Sequence, residues 1–193
     1  MDKSNGYERI AKRFIEIRGQ DEAGVGTLSV RNWVRSLPEK STILDLGCGT
    51  GLPITKVLID EGMEVYAIDA SKIMVQEFNN TFPDIPVECE SVEDSLFFNK
   101  QFDAIIAWGL IFLLSEEVQT KLLEKVASFL KKGGKLLFTA PAQDGVWMDN
   151  LTGQKSRSLG AKKYRDLLDK FGFRIIQEYK DEGENYYFDA IKL

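Results

Sequence analysis

The sequence predicts an α/β protein built on a mostly parallel sheet. Short apolar segments rich in β-branched residues alternate with segments in which apolar residues recur every three or four positions, as in strands joined by crossover helices. The length of 193 residues fits one domain, and 44% hydrophobic and 28% charged residues are typical of a globular core. We therefore expect one domain over residues 1–193, with a helical cap at 1–38 and an α/β core at 41–193.

The predicted elements follow in order along the chain. Residues 7–19 and 28–37 have helical periodicity, and Pro38 closes the second helix. A strand at 41–46 leads through a glycine-rich turn into a helix at 53–61, which Gly62 caps. The remaining predictions are strands at 63–68, 85–88, 102–107 and 135–140, helices at 72–80, 115–130 and 162–171, and a terminal strand pair at 173–179 and 186–193.

Two connections have an unusual composition. Residues 145–160 are rich in Gly, Ser, Asn and Trp and predict an irregular loop, which either carries function or packs on itself as an Ω-type loop. Residues 180–185 are acidic and predict a solvated hairpin tip. The alternative is that this tip faces the functional site and attracts a cationic amine.

Composition excludes several classes of function. The chain has no histidine, so a histidine-centred triad and a histidine-ligated metal are ruled out. Cys48 and Cys89 form no ligand-like spacing, which indicates a reduced protein with neither a disulfide framework nor a metal site. The net charge of −5 argues against a nucleic-acid partner, because nucleic-acid binding favours a basic face.

No segment indicates membrane insertion or secretion. The longest nearly uncharged run, residues 102–115, is too short to cross a bilayer. The N-terminal residues lead into a charged amphipathic pattern rather than the apolar core of a signal peptide. We therefore expect a soluble, cytoplasmic protein without a membrane partner, and the sequence gives no indication of its oligomeric state.

The most informative segment is the glycine-rich turn. Gly47, Gly49 and Gly51 directly follow a buried strand and precede a helix, a position where a tight turn needs positive φ and a ligand approaches the backbone. Asp69 ends the next strand, 18 residues after Gly51, where a carboxylate can accept hydrogen bonds from both ribose hydroxyls of an adenosine. Together the two features predict a site for an adenosine-containing cofactor.

At these residues the sequence resembles the class I S-adenosylmethionine-dependent methyltransferases. Residues 44–51 resemble the first motif of that family, and residues 68–71, 102–107, 130–137 and 168–173 also match, so that the resemblance covers nearly the whole chain. It implies a Rossmann-like three-layer sandwich with a seven-stranded, mostly parallel sheet whose last strand is antiparallel. It also implies S-adenosylmethionine as cofactor, S-adenosylhomocysteine as product and a small molecule as the methyl acceptor.

The resemblance implies a role for each matching position. Asp45 and the turn would adjoin the methionine part of the cofactor, Asp69 would hold the ribose, and Ser91 would flank the adenine, although family members often carry Asp there. Arg18 would pair with a carboxylate of cofactor or acceptor, or else be a solvated helix-end residue. The implied cofactor-binding residues are Arg18, Asp45, Gly47, Cys48, Gly49, Gly51, Leu52, Pro53, Asp69, Ala70, Ser71, Met74, Glu90, Ser91, Val92, Ala107 and Trp108.

The acceptor is not identified by the sequence. The candidate acceptor-binding residues come from the N-terminal helix and from the segments after the fourth and fifth strands, and they are Tyr7, Phe14, Phe112, Trp147 and Arg157. The sequence identifies no general base and leaves open whether one is used, since methyl transfer mainly requires alignment of acceptor and methyl group. No metal site is predicted. A protein or RNA acceptor, a non-catalytic S-adenosylmethionine-binding protein and a nicotinamide-dependent oxidoreductase remain as alternatives.

Overall fold

The computed structural model describes residues 3–18 and 24–193 of the chain, and of Arg18 only its place in the helix. The helices are α1 (Tyr7–Arg18), α2 (Thr27–Val34), α3 (Ile54–Asp60), α4 (Lys72–Thr81), α5 (Glu116–Phe129) and α6 (Gly160–Lys170). The strands are β1 (Thr42–Leu46), β2 (Glu64–Asp69), β3 (Val87–Cys89), β4 (Phe102–Ala107), β5 (Leu130–Thr139), β6 (Asp144–Met148), β7 (Lys155–Leu159), β8 (Phe173–Lys180) and β9 (Tyr186–Lys192).

Seven of the strands form one sheet in the order β3-β2-β1-β4-β5-β9-β8. Strands β1 to β5 are parallel to their neighbours within this group, whereas β9 runs antiparallel to both β5 and β8. The chain moves from β1 outward to β3 and then returns to the other side of β1 with β4. This reversal opens a crevice at the carboxyl ends of β1 and β4, which is where ligands bind in open α/β sheets. The predicted fold class is confirmed.

The sheet is covered by helices on both faces. The cluster that contains Val57 of α3 and Trp33 of α2 packs on one face, and the cluster that contains Leu123 of α5 and Tyr164 of α6 packs on the other. Every residue of β1 is buried, because this strand is central and covered on both sides. The covered sheet holds the strand ends in fixed positions, so that loops leaving β1, β2 and β4 meet at the crevice.

The prediction of an irregular loop at residues 145–160 is wrong. Strands β6 and β7 form a separate antiparallel hairpin in which Trp147 pairs with Ser156. Its turn is closed by Asp149, whose carboxylate accepts hydrogen bonds from the backbone N–H groups of Leu151 and Thr152. Strand β7 contains none of the β-branched or aromatic residues that are enriched in strands, so the sequence does not show its strand character.

The prediction of a solvated tip at residues 180–185 is confirmed for its central residues and wrong for Asp181. Asp181 is buried and accepts hydrogen bonds from the backbone N–H groups of Gly183 and Asn185 and from the hydroxyl of Tyr187. Of the turn between the strands, Glu182, Gly183 and Glu184 are exposed. The acidic composition therefore has two origins. The buried carboxylate of Asp181 stabilises the turn by hydrogen bonds, and the glutamates are solvated.

Among the elements predicted in the second half of the chain, the largest difference in a boundary is at the start of β5. Helix α5 begins after Ser115, whose hydroxyl accepts a hydrogen bond from Val118 N as expected of an N-cap. The helix ends at Phe129, and β5 begins at once with Leu130, earlier than the predicted start at residue 135. Leu130 pairs with Phe102 of β4, so the extended backbone begins before the two glycines.

Among the described residues, no helix is long and apolar enough to cross a membrane. No group of three or more Cys, Asp or Glu side chains in this part of the chain is arranged to hold a metal ion. Cys48 is buried and Cys89 is exposed, and both are free thiols.

Candidate active site

A cavity of about 270 Å³ lies at the carboxyl ends of β1, β2 and β4. Its first side, which we call the strand-end half, consists of the strand ends and the turns after β1 and β2, including Asp45, Gly49 and Asp69. Its second side, the cover half, consists of residues from α1, the segment after β4, the β6–β7 turn and the β8–β9 turn. The cover half includes Tyr7, Phe14, Trp108, Phe112 and Asn185.

The turn after β1 presents bare backbone to the cavity. Gly49 has φ +57°, and a Cβ added there would meet no protein atom within 4 Å. At Gly51, with φ +86°, a Cβ would approach the ring of Phe82 to 2.5 Å, so this glycine is required by packing. The two positions differ in kind. Gly51 allows the turn to fold against α4, whereas Gly49 leaves open space on the cavity side for a ligand.

Asp69 is fixed by the backbone at the end of β2. One carboxylate oxygen accepts from Gly49 N at 2.8 Å, and the other accepts from Ser71 N at 2.8 Å. Burial raises the pKa of Asp69, while these two hydrogen bonds act in the opposite direction. The carboxylate thus ties the glycine turn to β2, lines the cavity, and accepts only one of these hydrogen bonds at each oxygen.

A second buried carboxylate lies beside Asp69. Asp45 is 2% exposed and accepts a hydrogen bond from the hydroxyl of Thr55 at 2.6 Å. Burial raises its pKa to about 7, the hydrogen bond from Thr55 lowers it, and the charge of Asp69 raises it further. Two carboxylates in one enclosed space destabilise each other's ionised form. A positively charged ligand group would relieve this repulsion.

The same enclosure affects the neighbouring thiol. Burial, together with the charges of Asp69 and Asp45, raises the pKa of the Cys48 thiol well above its usual value. Cys48 is therefore protonated at neutral pH and lines the cavity as a small apolar group rather than as a nucleophile.

Helix α1 closes over the site through its contact with α4. The carboxylate of Glu8 accepts hydrogen bonds from the hydroxyl of Ser71 at 2.5 Å and from Ile73 N at 3.2 Å. Ser71 also caps α4 by accepting from Met74 N. A carboxylate at the first turn of a helix is favoured by the helix dipole, so Glu8 holds the beginning of α1 directly above the end of β2.

Other contacts hold the N-terminal segment against the rest of the site. Lys3 forms ion pairs with Glu93 at 3.2 Å and Asp94 at 2.8 Å, in the loop after β3. Arg9 donates to the carbonyl of Thr152 in the β6–β7 turn at 2.7 Å. Asn5 also lines the cavity. Its side-chain amide nitrogen is buried and has no hydrogen-bond partner among residues 3–18 and 24–193.

The exit of β4 is connected to the β8–β9 turn by a chain of hydrogen bonds. The indole N–H of Trp108 donates to the hydroxyl of Tyr187 at 2.8 Å, and that hydroxyl donates to Asp181 at 2.7 Å. Asp181 in turn accepts from the side-chain amide of Asn185 at 3.2 and 3.0 Å. Gly26, at the start of α2, lies against the Trp108 indole, where a Cβ would come within 2.7 Å. The chain of hydrogen bonds fixes both Trp108 and Asn185 at the cavity wall.

Aromatic rings dominate the cover half. Tyr7 and Phe14 contact each other edge to face with ring centroids 5.7 Å apart. Phe112 lies 5.9 Å from Trp147 of β6 in a tilted arrangement. Trp147, predicted to bind the acceptor, does not line the cavity but packs against Phe112, which does.

Most of the residues predicted from the sequence line the cavity. These are Tyr7, Phe14, Asp45, Gly47, Cys48, Gly49, Leu52, Asp69, Ala70, Met74, Ser91, Val92, Trp108 and Phe112. The structure shows that these residues line the cavity. Which ligand each of them contacts stays a prediction.

Several predicted residues lie elsewhere. Gly51, Pro53, Ser71 and Ala107 are outside the cavity wall and support it, with Pro53 at the start of α3 and Ala107 buried in β4. Glu90 is exposed and does not line the cavity either. Arg157, predicted to bind the acceptor, instead pairs with Glu116 at 2.6 Å outside the cavity. The side chain of Arg18 lies outside the described residues.

The cavity wall also contains residues outside the set of site residues predicted above. They are Lys3, Ser4, Asn5, Thr50, Ile54, Ile68, Glu93, Gly109, Leu110, Leu113, Leu114, Leu151 and Asn185. The sequence pattern of Leu113 and Leu114 indicates core residues, and that of Asn185 indicates part of a solvated tip. Only tertiary packing brings Asn5, Leu151 and Asn185 to the same cavity, so no local pattern marks them.

Comparison with known proteins gives consistent matches. Residues 43–134, from β1 into β5, match the family model described as a methyltransferase domain. The cypemycin N-terminal methyltransferase of a Streptomyces species is 36% identical over 107 residues, which cover 53% of this chain and 43% of that protein. The sarcosine/dimethylglycine N-methyltransferase of Aphanothece halophytica is 26% identical over 173 residues, covering 81% of this chain and 60% of that protein. The chain thus spans about half the length of the curated relatives it matches.

A solved structure extends the likeness over the whole chain. The 1,6-didemethyltoxoflavin-N1-methyltransferase of Burkholderia thailandensis, with bound 1,6-didemethyltoxoflavin and S-adenosylhomocysteine, superposes with a TM-score of 0.75. It is 16% identical and is matched over 100% of this chain and 91% of that one. At this level of identity the likeness establishes the shared fold.

Proposed function

We propose that this chain, which has the fold of the class I S-adenosylmethionine-dependent methyltransferases, transfers the methyl group of S-adenosylmethionine to a small-molecule acceptor. The observation that carries the proposal is the strand-end half of the cavity. It combines an open glycine turn at Gly49, a fixed carboxylate at Asp69 and a second buried carboxylate at Asp45.

The charge of the cavity suits this cofactor. Of the described residues that line it, Asp45, Asp69 and Glu93 are acidic, and Lys3 is basic but already paired with Glu93 and Asp94. S-adenosylmethionine carries a sulfonium and an ammonium group, which two buried carboxylates stabilise. A dinucleotide carries a pyrophosphate, which the same carboxylates would repel, so the nicotinamide alternative is disfavoured.

The residues of the strand-end half fit the parts of an adenosine cofactor. Asp69 keeps free lone pairs for the two ribose hydroxyls while its backbone partners hold it in place. Ser91 and Val92 lie on the wall after β3, where the sequence predicts the adenine. Asp45 and the turn at Gly49 lie on the wall below, where the sequence predicts the methionine part.

The reaction requires little covalent chemistry from the protein. When bound, S-adenosylmethionine supplies a methyl group on a good leaving group. A lone pair of the acceptor forms the new bond to carbon as the carbon–sulfur bond breaks, and that electron pair passes to sulfur. The protein has to hold the acceptor in line with the carbon–sulfur bond and to exclude water. The contacts of α1 with α4 and the aromatic side chains of the cover half serve these two purposes.

A small acceptor fits the enclosure better than a macromolecule. Helix α1 with the segment before it covers the cavity through Glu8, Arg9 and Lys3. The net charge of −5 gives no electrostatic attraction for RNA. A peptide or RNA acceptor would first have to displace α1 from α4.

The experiment is calorimetric titration of the protein with S-adenosylmethionine and S-adenosylhomocysteine. We expect micromolar binding that weakens about 10-fold or more in Asp69→Ala, which corresponds to a loss of about 1.4 kcal/mol or more. The exposed Asp84→Ala is the control and should bind as the wild type does. Thermal unfolding of each variant separates loss of binding from loss of folding, because Asp69→Ala also leaves two backbone donors without their acceptor.

Absence of binding by folded wild-type protein would overturn the proposal. Binding without turnover of any acceptor in a small-molecule panel, combined with turnover of peptide or RNA, would overturn the choice of acceptor class. Binding without any turnover would favour the non-catalytic alternative.

A further inference from the structure

The cover half carries information about the acceptor. Its walls are the rings of Tyr7, Phe14, Trp108 and Phe112 together with aliphatic side chains, among them Leu110, Leu113 and Leu151. Aromatic faces and edges of this kind favour flat, apolar partners, because stacking and edge-to-face contacts add to the area buried.

Charged groups at this cavity are already engaged. Lys3 and Glu93 pair with each other, and Asp45 and Asp69 belong to the strand-end half. No other charged side chain of the described residues lines the wall. A carboxylate or phosphate on the acceptor would therefore lose its hydration without gaining an unpaired cationic side chain of the protein, and a cationic acceptor would be repelled by the sulfonium.

One polar group of the cover half is held in a fixed orientation. The amide nitrogen of Asn185 donates to both carboxylate oxygens of Asp181, and Asp181 is itself held by Tyr187 and the backbone of its own turn. The amide oxygen of Asn185 is then the group available to a ligand at the wall. It is an acceptor, and it matches an N–H or O–H group.

We propose that the acceptor is a small, uncharged aromatic compound with an N–H next to the reacting lone pair, as in an arylamine, and that Asn185 positions it. The inference rests on the proposed function. An N–H of the amine donates to the Asn185 oxygen, which leaves the nitrogen lone pair free to form the carbon–nitrogen bond. The sulfur takes the electron pair of the broken bond, and the proton lost from the methylated nitrogen passes to solvent.

The test compares one ring system in three charge states. Protein saturated with sinefungin, an unreactive analogue of S-adenosylmethionine that carries a cationic amine in place of the sulfonium, is titrated with 4-chloroaniline, 4-chlorobenzoate and 4-chloro-N,N,N-trimethylanilinium. We expect the uncharged amine to bind at least 10-fold more tightly than either ion. Equal or tighter binding of an ion, or no binding of the amine, overturns the inference. Failure of sinefungin and S-adenosylhomocysteine themselves to bind is a separate result, which overturns the proposed function.

The role of Asn185 is tested with a matched ligand. In Asn185→Ala we expect the affinity for 4-chloroaniline to fall about 5-fold, whereas the affinity for 4-chloro-N,N-dimethylaniline, which has no N–H, should stay within 2-fold of the wild type. The exposed Asn80→Ala on α4 is the control. An equal loss for both ligands would show a merely structural role, and no loss for either would show that Asn185 does not contact the amine.

Discussion

The two halves of the cavity are built from the chain in different ways. In the strand-end half, Asp45 and Asp69 are 24 positions apart, end adjacent parallel strands and meet through the turn at Gly49. In the cover half, Tyr7 and Asn185 are 178 positions apart and reach the wall only because α1 and the β8–β9 turn dock there. The first half follows from the geometry of neighbouring strands, whereas the second depends on tertiary packing.

Among the substitutions that distinguish the two halves, we expect the largest loss of ligand affinity at Gly49. Gly49→Ala places a methyl group into the open space of the strand-end half, and we expect the affinity for S-adenosylhomocysteine to fall about 100-fold, or about 2.7 kcal/mol. Positive φ costs the variant about 1–2 kcal/mol of stability. Calorimetric titration and thermal unfolding measure the two effects.

Gly62 provides the matched control for this substitution. It has φ +77° and an equally open Cβ position, but it lies outside the cavity after α3. Gly62→Ala should lose a similar amount of stability and keep the wild-type affinity. Wild-type affinity in Gly49→Ala would show that the turn does not contact the cofactor.

The next effect is the pH dependence of stability, which belongs to the strand-end half. Burial raises the pKa of Asp45 to about 7, whereas an unfolded chain ionises Asp near pH 4. The folded protein therefore favours the protonated acid, and this stability is present below about pH 4 and lost as the pH rises through about 7. We expect Asp45 to contribute a fall of up to about 1.4 kcal/mol per pH unit between pH 5 and 7.

Asp45→Asn removes the titrating group while keeping an oxygen for the Thr55 hydroxyl. Urea unfolding without cofactor at pH 5, 6 and 7 should give a flatter pH dependence for the variant, which becomes more stable than the wild type at pH 7 by about 2 kcal/mol. The exposed Asp60→Asn should retain the wild-type slope. An unchanged slope in Asp45→Asn would mean that Asp45 is ionised across this range.

The strand-end half is predictable from the sequence because its information is local. Apolar runs define β1 and β2, and the residues that directly follow them must lie at the sheet edge, so the order of residues alone places Gly49 and Asp69 together. The same logic predicts all seven strands of the main sheet. The information that predicts these strands lies in residues that are close to one another in the sequence, or in the regular alternation of strands and helices along the chain.

The cover half is predictable only in part. Tyr7, Phe14 and Phe112 stand out as aromatic residues in segments that adjoin the strand ends, and they do line the cavity. Asn185 was included only through the alternative that the acidic tip faces the functional site, because the buried role of Asp181 is invisible in an acidic stretch. Arg157 was misplaced because its hairpin was predicted as a loop and its partner, Glu116, lies 41 positions away. Contacts between residues so far apart in the sequence produce no pattern that a single sequence reveals.

A third prediction tests whether the cover half acts on the acceptor alone. Phe112→Ala removes a ring from the wall, and we expect the affinity of 4-chloroaniline for protein saturated with S-adenosylhomocysteine to fall about 10-fold, in keeping with the loss of about 1.5 kcal/mol of apolar contact. The affinity for S-adenosylhomocysteine should change less than 2-fold. Phe171→Ala, a half-buried ring outside the cavity, is the control. An equal loss for both ligands would mean that the two halves are not separate.

The smallest effect is expected at Glu8, where the two halves are joined. Glu8 holds α1 on α4 through Ser71 and Ile73, and α1 supplies Tyr7 and Phe14 to the cover half. In Glu8→Ala we expect the affinities for S-adenosylhomocysteine and for 4-chloroaniline to fall by the same factor, about 3-fold, because a partly exposed carboxylate at a helix end contributes less than about 1 kcal/mol. Amide hydrogen exchange in α1 should accelerate by that factor too, and Glu16→Ala, exposed on the same helix, should change none of the three. If Glu8→Ala weakened only one of the two ligands, α1 would contribute to the binding of that ligand alone. Helix α1 would then belong to one half of the cavity and would not join the two.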